Sequence, residues 1–558
     1  MAYIHGAYGE ITASKVKRVT QADVVVGYIG IAPVNLIRDY ADADIINMPI
    51  ELSNMADVQS KVGYSANWSK FTLCEAFAEH FDNSVQNVGP IYAVNVLDPD
   101  VHKTGSDTSK SLTFANFRCE FESDTIILDT FALAGMTEGE DYTLDYNFAK
   151  GTVVLKLLGS TGSMTVSATY REVDFDKIDS SAIIGSKSSE GVYKGLYAFE
   201  LLYQYHNKVL NVLAAPGWSH MPAVYTAMVG TVSKLNGHWD GFALADIPVE
   251  DDKTELATVS SHVASVTDSK MITDSVEVWS EDGTKKGALT TDYTLSYSAG
   301  VLTVTLVNAG VLYSEAKVNV KYKATVATIA EAESWKAAKG YTAENTKVFW
   351  PEVKDSQDRI FHLSTVCAAT MQAVDLTHEG VPFESPSNKP IMATSQFFGS
   401  TSKSKGFDQE TANDLNAKGI TTAVYGGGRW VLWGPHTAAY QYNGSMDARA
   451  IFDSTLRTLM YITNSFQLDH GTEIDKPMTP ADRDTILNAE RAKLDRLKGI
   501  GALIGDPEVL FVESENPISD MVNGDFVWHF NVTNTPPFKS GTARVTYTDE
   551  GFSAFFGD

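Results

Sequence analysis

Gly217-Trp218-Ser219-His220 sets a serine beside a histidine, the pair that acyl transfer uses as nucleophile and base. A nucleophile elbow has the form GxSxG, which this segment lacks, so the pair reads as a helix cap in a strand-to-helix loop. Asp98-Pro99-Asp100-Val101-His102 opens with the aspartate spacing of a calcium loop. Counted from Asp98, however, the sixth and twelfth positions are Lys103 and Ser109, where the loop needs glycine and glutamate; a polar turn is expected. Glu250-Asp251-Asp252 could attract a cation but reads as a solvated linker. The 12 histidines are scattered, with no HExxH and no His/Cys cluster at ligand spacing. Phosphate chemistry fares no better. There is no GxxxxGK[ST], Gly27-Tyr28-Ile29-Gly30 lies inside an apolar run, and Gly499, Gly501 and Gly505 follow a helical pattern. Gly426-Gly427-Gly428-Arg429 could hold an anion, but a bend into Trp430-Val431-Leu432-Trp433 is simpler. The paired carboxylates of a sugar hydrolase are a spatial feature, and no pair stands out. The expectation is a protein that is not an enzyme and uses no cofactor and no metal.

Composition agrees with a large folded chain. Of 558 residues, 44% are hydrophobic and 20% charged, which excludes disordered, collagen-like and coiled-coil classes and suggests about four domains. Acidic residues outnumber basic ones 70 to 44, a net charge of −26. Such a surface repels phosphate, so neither nucleic acid nor an anionic membrane is an expected partner. The longest mostly apolar uncharged stretch, Val24 to Ile37, contains Pro33 and Asn35 and is shorter than the ~20 residues of a membrane span. Cys74, Cys119 and Cys367 are far apart and odd in number, as for buried thiols in a reducing compartment. MAYIHGAYGE has no basic n-region or apolar h-region, so no secretory signal is expected there. Sequons at Asn67, Asn443 and Asn531 then carry no weight.

The elements that would position any site begin with a repeat. Asp141-Tyr142-Thr143-Leu144-Asp145-Tyr146 recurs as Asp292-Tyr293-Thr294-Leu295-Ser296-Tyr297. Each copy is followed by a glycine, Gly151 or Gly300, and an alternating run, Thr152 to Leu157 or Val301 to Leu306. A further strand closes each copy, with Val166, Ala168 and Tyr170 matching Val318, Val320 and Tyr322. Period-two patterns rich in β-branched residues predict antiparallel strands. Two all-β modules are therefore expected, at 111–174 and 257–328.

The rest alternates between continuous apolar runs and helical spacing. Strands are predicted at Val24–Ile31, Ile91–Leu97, Val209–Leu213, Phe242–Ile247 and Lys347–Trp350, with helices near 68–81, 193–205, 222 onward, 329–338 and 364–374. That order predicts an α/β sheet, at least partly parallel. A Pro/Ser stretch, Val381 to Asn388, marks a junction. Beyond it, helices are predicted near 447–466 and 480–498, the second with Thr479 as N-cap, Pro480 at its first position and Gly499 as its stop. Strands near Val509–Glu513, Asp525–Thr533 and Ala543–Tyr547 would complete an α+β domain. The fold class expected is α/β plus α+β, multidomain: a mixed-sheet α/β core (21–110, 175–256 and 329–380), two all-β inserts, a C-terminal α+β domain (381–540) and extended arms at 1–20 and 541–558.

Several stretches outside the repeats resemble, in order, the contractile tail sheath proteins of bacteriophages, relatives of phage-tail-like bacteriocin and type VI secretion sheaths. They are Val24 to Gly30; Gly89-Pro90-Ile91-Tyr92-Ala93-Val94-Asn95-Val96; Ala214-Ala215-Pro216-Gly217 followed by Phe242 to Pro248; Val348-Phe349-Trp350-Pro351; Trp433-Gly434-Pro435-His436-Thr437; and Gly499 to Leu503. His436 stands where the family usually has arginine, and Gln467-Leu468-Asp469-His470 where it has Glu-Pro-Asn. The resemblance implies a structural subunit that polymerises in rings around a tail tube and shortens to drive it through a bacterial envelope. The implied partners are identical subunits, the tail tube protein, and baseplate and tail terminator proteins. The implied location is a virion or phage-tail-like particle assembled in the host bacterial cytoplasm. It also implies arms that add strands to neighbouring subunits. The candidates are Tyr3, Ile4, Ala7 and Tyr8 at one end and Val545 and Tyr547 at the other. Under the same resemblance the C-terminal domain would face the tube and the β modules would lie outside. Two other classes remain open from the residues alone: a secreted adhesive protein binding through its β modules, and a hydrolase using acidic residues.

Overall fold

Eight strands form the central sheet, in the order Ile50–Leu52, Val88–Asn95, Thr20–Gly30, Val212–Ala214, Phe242–Asp246, Thr346–Phe349, Ile420–Gly426, Arg429–Trp433. The computed structural model describes residues 20–159, 162–404 and 406–557, which divide into two units, Met1–Pro477 and Met478–Asp558. In the sheet, the six inner strands pair in parallel and the two outer ones antiparallel. The inner strands are buried along most of their length, which is why their sequences are continuous apolar runs with no alternation.

One helix, Leu363–Leu376, is buried along nearly its whole length. It packs on the Thr20–Gly30 and Phe242–Asp246 strands and on the Leu73–Phe81 helix. Its Gln372 side-chain amide donates to the carbonyls of Val24 and Pro90 and so ties two strands together. Gly27 explains the glycines inside the first strand: a Cβ there would lie 2.5 Å from Leu210 Cδ1 and 2.7 Å from Phe199 Cε1. The residue is needed for close packing and not for phosphate. Helix Ile329–Lys339 shows how local chemistry sets a boundary. Thr328 and Glu331 form a capping box, lysines 336 and 339 occupy the last turn, and Gly340 terminates the helix at φ 74°.

The two β modules have the same six-strand plan. In the first, Thr108–Phe114, Met164–Tyr170 and Ala132–Leu133 form one sheet, and Arg118–Glu122, Thr152–Leu157 and Tyr142–Asn147 the other. In the second, Glu250–Thr258, Lys317–Thr325 and Met271–Ser280 face Val263–Thr267, Val301–Leu306 and Tyr293–Ser298. All pairings are antiparallel. Val153, Leu155 and Leu157 point inward in one module as Leu302, Val304 and Leu306 do in the other.

Several expectations need correction. Both modules begin earlier than 111 and 257, because Thr108 and Glu250 already pair across to Tyr170 and Thr325. Glu250-Asp251-Asp252 is therefore strand and not linker. The segment 381–540 is not one domain: Val348 and Phe349 pair with Ile420 and Thr421, so the strands after the Pro/Ser stretch extend the core sheet. The unit boundary falls instead between Pro477 and Met478. The helix near 193–205 is a 3-10 stretch, Gly195–Leu201, leading into a short α-helix, Leu202–His206. The helix expected from 68 starts at Leu73.

In the unit Met478–Asp558, helix Pro480–Gly499 carries the expected Thr479 cap, closed into a box by Asp482. Its strands are Leu503–Leu510 and His529–Asn534, paired antiparallel. No strand forms at 543–547.

Candidate functional site

The segments singled out for chemistry are each closed by their own neighbours. Ser219 Oγ donates to Asp246 Oδ2 (3.2 Å) and accepts from the Asp246 backbone N–H (3.0 Å). His220 instead faces Asp252 at 3.9 Å, so serine and histidine serve different carboxylates. The Asp98 backbone N–H donates to His102 Nδ1 (3.0 Å), and the His102 N–H donates back to the Asp98 carbonyl (2.8 Å), which makes the expected turn. Gly427 and Gly428, at φ 60° and 83°, form the tight turn between the Ile420–Gly426 strand and the edge strand Arg429–Trp433. Cys74, Cys119 and Cys367 are buried and free. Among the described residues no group of three His, Cys, Asp or Glu could hold a metal ion. Also among them, no helix is long and apolar enough to cross a membrane.

What the core does hold is buried charge, including pairs that fasten a helix to the sheet or to another helix. Lys347 and Asp453, both fully buried, pair at 2.6 Å and link the Thr346–Phe349 strand to the first residue of helix Asp453–His470. One turn further on, Arg457 pairs with Asp375 of the central helix. Burial pushes Asp375 up to about 6, against the pull of Arg457. His362 Nδ1 meets Glu75 Oε2 at 2.7 Å, and its Nε2 lies 3.7 Å from Glu352. Burial alone would depress His362, but Glu75, Glu352 and Asp246 outweigh it and hold the imidazole well above its usual range. Glu352 is raised to about 7 by burial, with Glu75 and Asp246 adding to the effect and His362 opposing it. Sequence reasoning missed these pairs. The signal available was a lone lysine inside the apolar run Lys347-Val348-Phe349-Trp350. Pairs of this kind resist deformation, because separating the partners strands a charge in the core. They suit a body that moves as a whole.

The chain end is built the opposite way. From 538 to 557 every residue is exposed, including Phe538, Phe555 and Phe556. Val545 and Tyr547 are 93% and 81% exposed in a segment with no secondary structure. Beside them in sequence, the strands Leu503–Leu510 and His529–Asn534 pair with each other and with no third strand among the described residues. An apolar, strand-prone segment and a two-stranded sheet thus occur in one unit, with no strand pairing between them among the described residues. Tyr3, Ile4, Ala7 and Tyr8 lie outside the described residues.

No family model matches the chain. The tail sheath protein of Burkholderia phage BcepMu is 22% identical to it over 570 aligned residues, 98% of this chain and 96% of that one. The major tail sheath protein of Serratia phage KSP20 is 29% identical over 149 residues, 27% of this chain and 36% of that one. Among solved structures, the baseplate of the anti-feeding prophage contains a chain with the same fold. Its TM-score is 0.50 at 13% identity, covering 98% of this chain and 100% of that one. The resemblance to tail sheath proteins is borne out by these relatives.

Proposed function

We propose that this chain is the structural subunit of a contractile tail sheath, which polymerises around a tail tube and shortens to drive it through a bacterial envelope. The observation that carries the reading is the exposed, apolar chain end. Val545 and Tyr547 stand exposed in the unit that holds the two-stranded sheet, which supports the reading of a strand made for another copy's sheet. Tyr3, Ile4, Ala7 and Tyr8 are assigned the same role at the other end. Strand exchange keeps neighbours joined while rigid bodies repack, and the buried ion pairs of the core support that rigidity. No catalytic step is needed, because the free energy of shortening is stored in the metastable assembly. Identical subunits, a tube protein, and baseplate and terminator proteins are the partners in this reading. The C-terminal unit faces the tube and the β modules face outward, in a virion or phage-tail-like particle assembled in the host cytoplasm.

Negative-stain microscopy of the expressed chain tests the reading: long hollow tubes are expected, and discrete monomers would contradict it. Removing residues 541–558, or 1–15, should leave a folded monomer that forms no long tubes. Normal tubes from either truncation would refute the strand exchange.

A further inference from the structure

The two β modules share one plan but differ in their connections, and one turn matters here. In the second module, Ala299-Gly300 joins Tyr293–Ser298 to Val301–Leu306. There the Tyr297 hydroxyl donates to the Asp268 carbonyl (2.8 Å), and a Cβ on Gly300 would touch Ser269 Cα at 3.3 Å, so the turn is closed down on the neighbouring loop. In the first module, the corresponding strands are joined by Phe148-Ala149-Lys150-Gly151, four residues against two. Tyr146 occupies the place of Tyr297. It is only 7% exposed, and its hydroxyl has no hydrogen-bond partner. The longer turn lines a cleft of about 1100 Å³ between this module and the core.

We propose that this cleft binds a neutral oligosaccharide. Asn54, Gln59 and Asn67 line it from the core, and Asp124, Phe148 and Lys150 from the module. Amides, a carboxylate and an ammonium offer mixed donors and acceptors, which match hydroxyls that both donate and accept. Phe148 packs edge-on to Tyr146 at 5.0 Å and is half-buried, leaving apolar ring surface for the C–H face of a sugar. The volume is at the upper end of small-ligand sites, roughly 300–1000 Å³, and fits a short chain better than one ring. Charge selects against the alternatives. Asp82, Glu122 and Asp124 against Lys150, on a chain of net charge −26, repel an acidic polysaccharide. A basic peptide would need several free carboxylates, but Asp82 is held by Arg359 at 2.8 Å and Lys150 opposes Glu122 and Asp124.

The inference does not depend on polymerisation and is measured on the soluble full chain. The probes are immobilised neutral oligosaccharides of hexose and N-acetylhexosamine units, followed by calorimetric titration of the best binder. Phe148→Ala, and separately Lys150→Ala, should weaken binding about tenfold, and Lys150→Ala should do so with no change in melting temperature. Ser298→Ala in the second module should leave binding intact. Binding of no neutral probe, binding by either first-module variant as tight as that of the unaltered chain, or preference for an acidic polysaccharide or a basic peptide would overturn the proposal.

Discussion

Lys347 should be among the least replaceable residues in the core. Its ammonium is fully buried and donates to the Gly434 carbonyl (2.7 Å), the His436 carbonyl (3.1 Å) and Asp453 Oδ2 (2.6 Å). Asp453→Asn keeps the shape and removes the charge, so it strands an ammonium among neutral acceptors. Breaking a buried pair in this way costs about 3–5 kcal/mol, a large part of the roughly 5–15 kcal/mol that holds a folded domain together. The double variant Lys347→Met/Asp453→Leu removes both charges. It still takes one donor from each of two carbonyls, of which that of Gly434 keeps Thr421 Oγ1 at 3.3 Å, yet should be no less stable than Asp453→Asn. Urea unfolding followed by tryptophan fluorescence reads both, since Trp350 is buried close by in sequence. The reasoning fails if Asp453→Asn costs under about 1 kcal/mol, as an exposed pair would. It also fails if the costs of the two single changes simply add in the double variant.

Glu352 binds a proton more tightly in the folded chain, where it titrates at about 7, than in the unfolded chain, so its contribution to stability falls as pH rises. From a free-glutamate value of about 4.3, the loss by about pH 8 is roughly 3–4 kcal/mol, and Glu352→Gln should raise the melting temperature there while changing little near pH 4. Thr479→Ala breaks the capping box on Pro480–Gly499 and should cost about 1 kcal/mol by chemical denaturation of that unit. Gly185 sits at φ 70°, and a Cβ there would collide with the Lys194 carbonyl. Gly185→Ala should therefore lower the melting temperature by more than the ~1 kcal/mol of an ordinary glycine change, and an unaltered melt would contradict the packing of that loop.

The parallel sheet was legible because its strands are buried on both faces: Val24 to Gly30 and Phe242 to Asp246 can be nothing but core. The repeat was legible because strand alternation survives in both copies. Glu250-Asp251-Asp252 misled because one edge strand of a sandwich tolerates charge on its outer face, and composition does not distinguish that from a linker. Residues 420–433 misled because a sheet can be completed by strands far along the chain, whose partners are set by tertiary pairing and not by local pattern. Val545 and Tyr547 were visible as an alternating run, but that they lie outside any strand and are exposed is a fact of three dimensions. Tyr146 and its cleft were invisible for the same reason.

The modules show why large insertions leave such a sheet undisturbed. The first follows Val88–Asn95 and the second follows Phe242–Asp246, strands that run parallel within one sheet, so both leave from carboxyl ends. The first and last strands of each module pair with one another, Thr108 with Tyr170 and Glu250 with Thr325. Chain exit and return are therefore adjacent, and to the core a module is equivalent to a tight turn. Removing 251–324 and bridging Glu250 to Thr325 with Asn-Gly should leave the core folded. Val326 N–H still reaches the Val249 carbonyl at 2.9 Å, and Trp350 Nε1 still reaches the Val326 carbonyl at 3.1 Å. The Lys270–Glu331 pair is lost, an exposed contact worth about 0–1 kcal/mol. The first module should not excise as cleanly, because Asn35, buried in the core, donates to the carbonyls of Asp124 and Ile126, and Leu36 packs into the module's own apolar cluster. Its removal orphans that amide, at about 1–3 kcal/mol, and uncovers the leucine, at about 1.5–3 kcal/mol. Thermal melts of the two deletions should differ in that order. Equal melts, or a more fragile chain without the second module, would mean that the core depends on its inserts in a way these contacts do not explain.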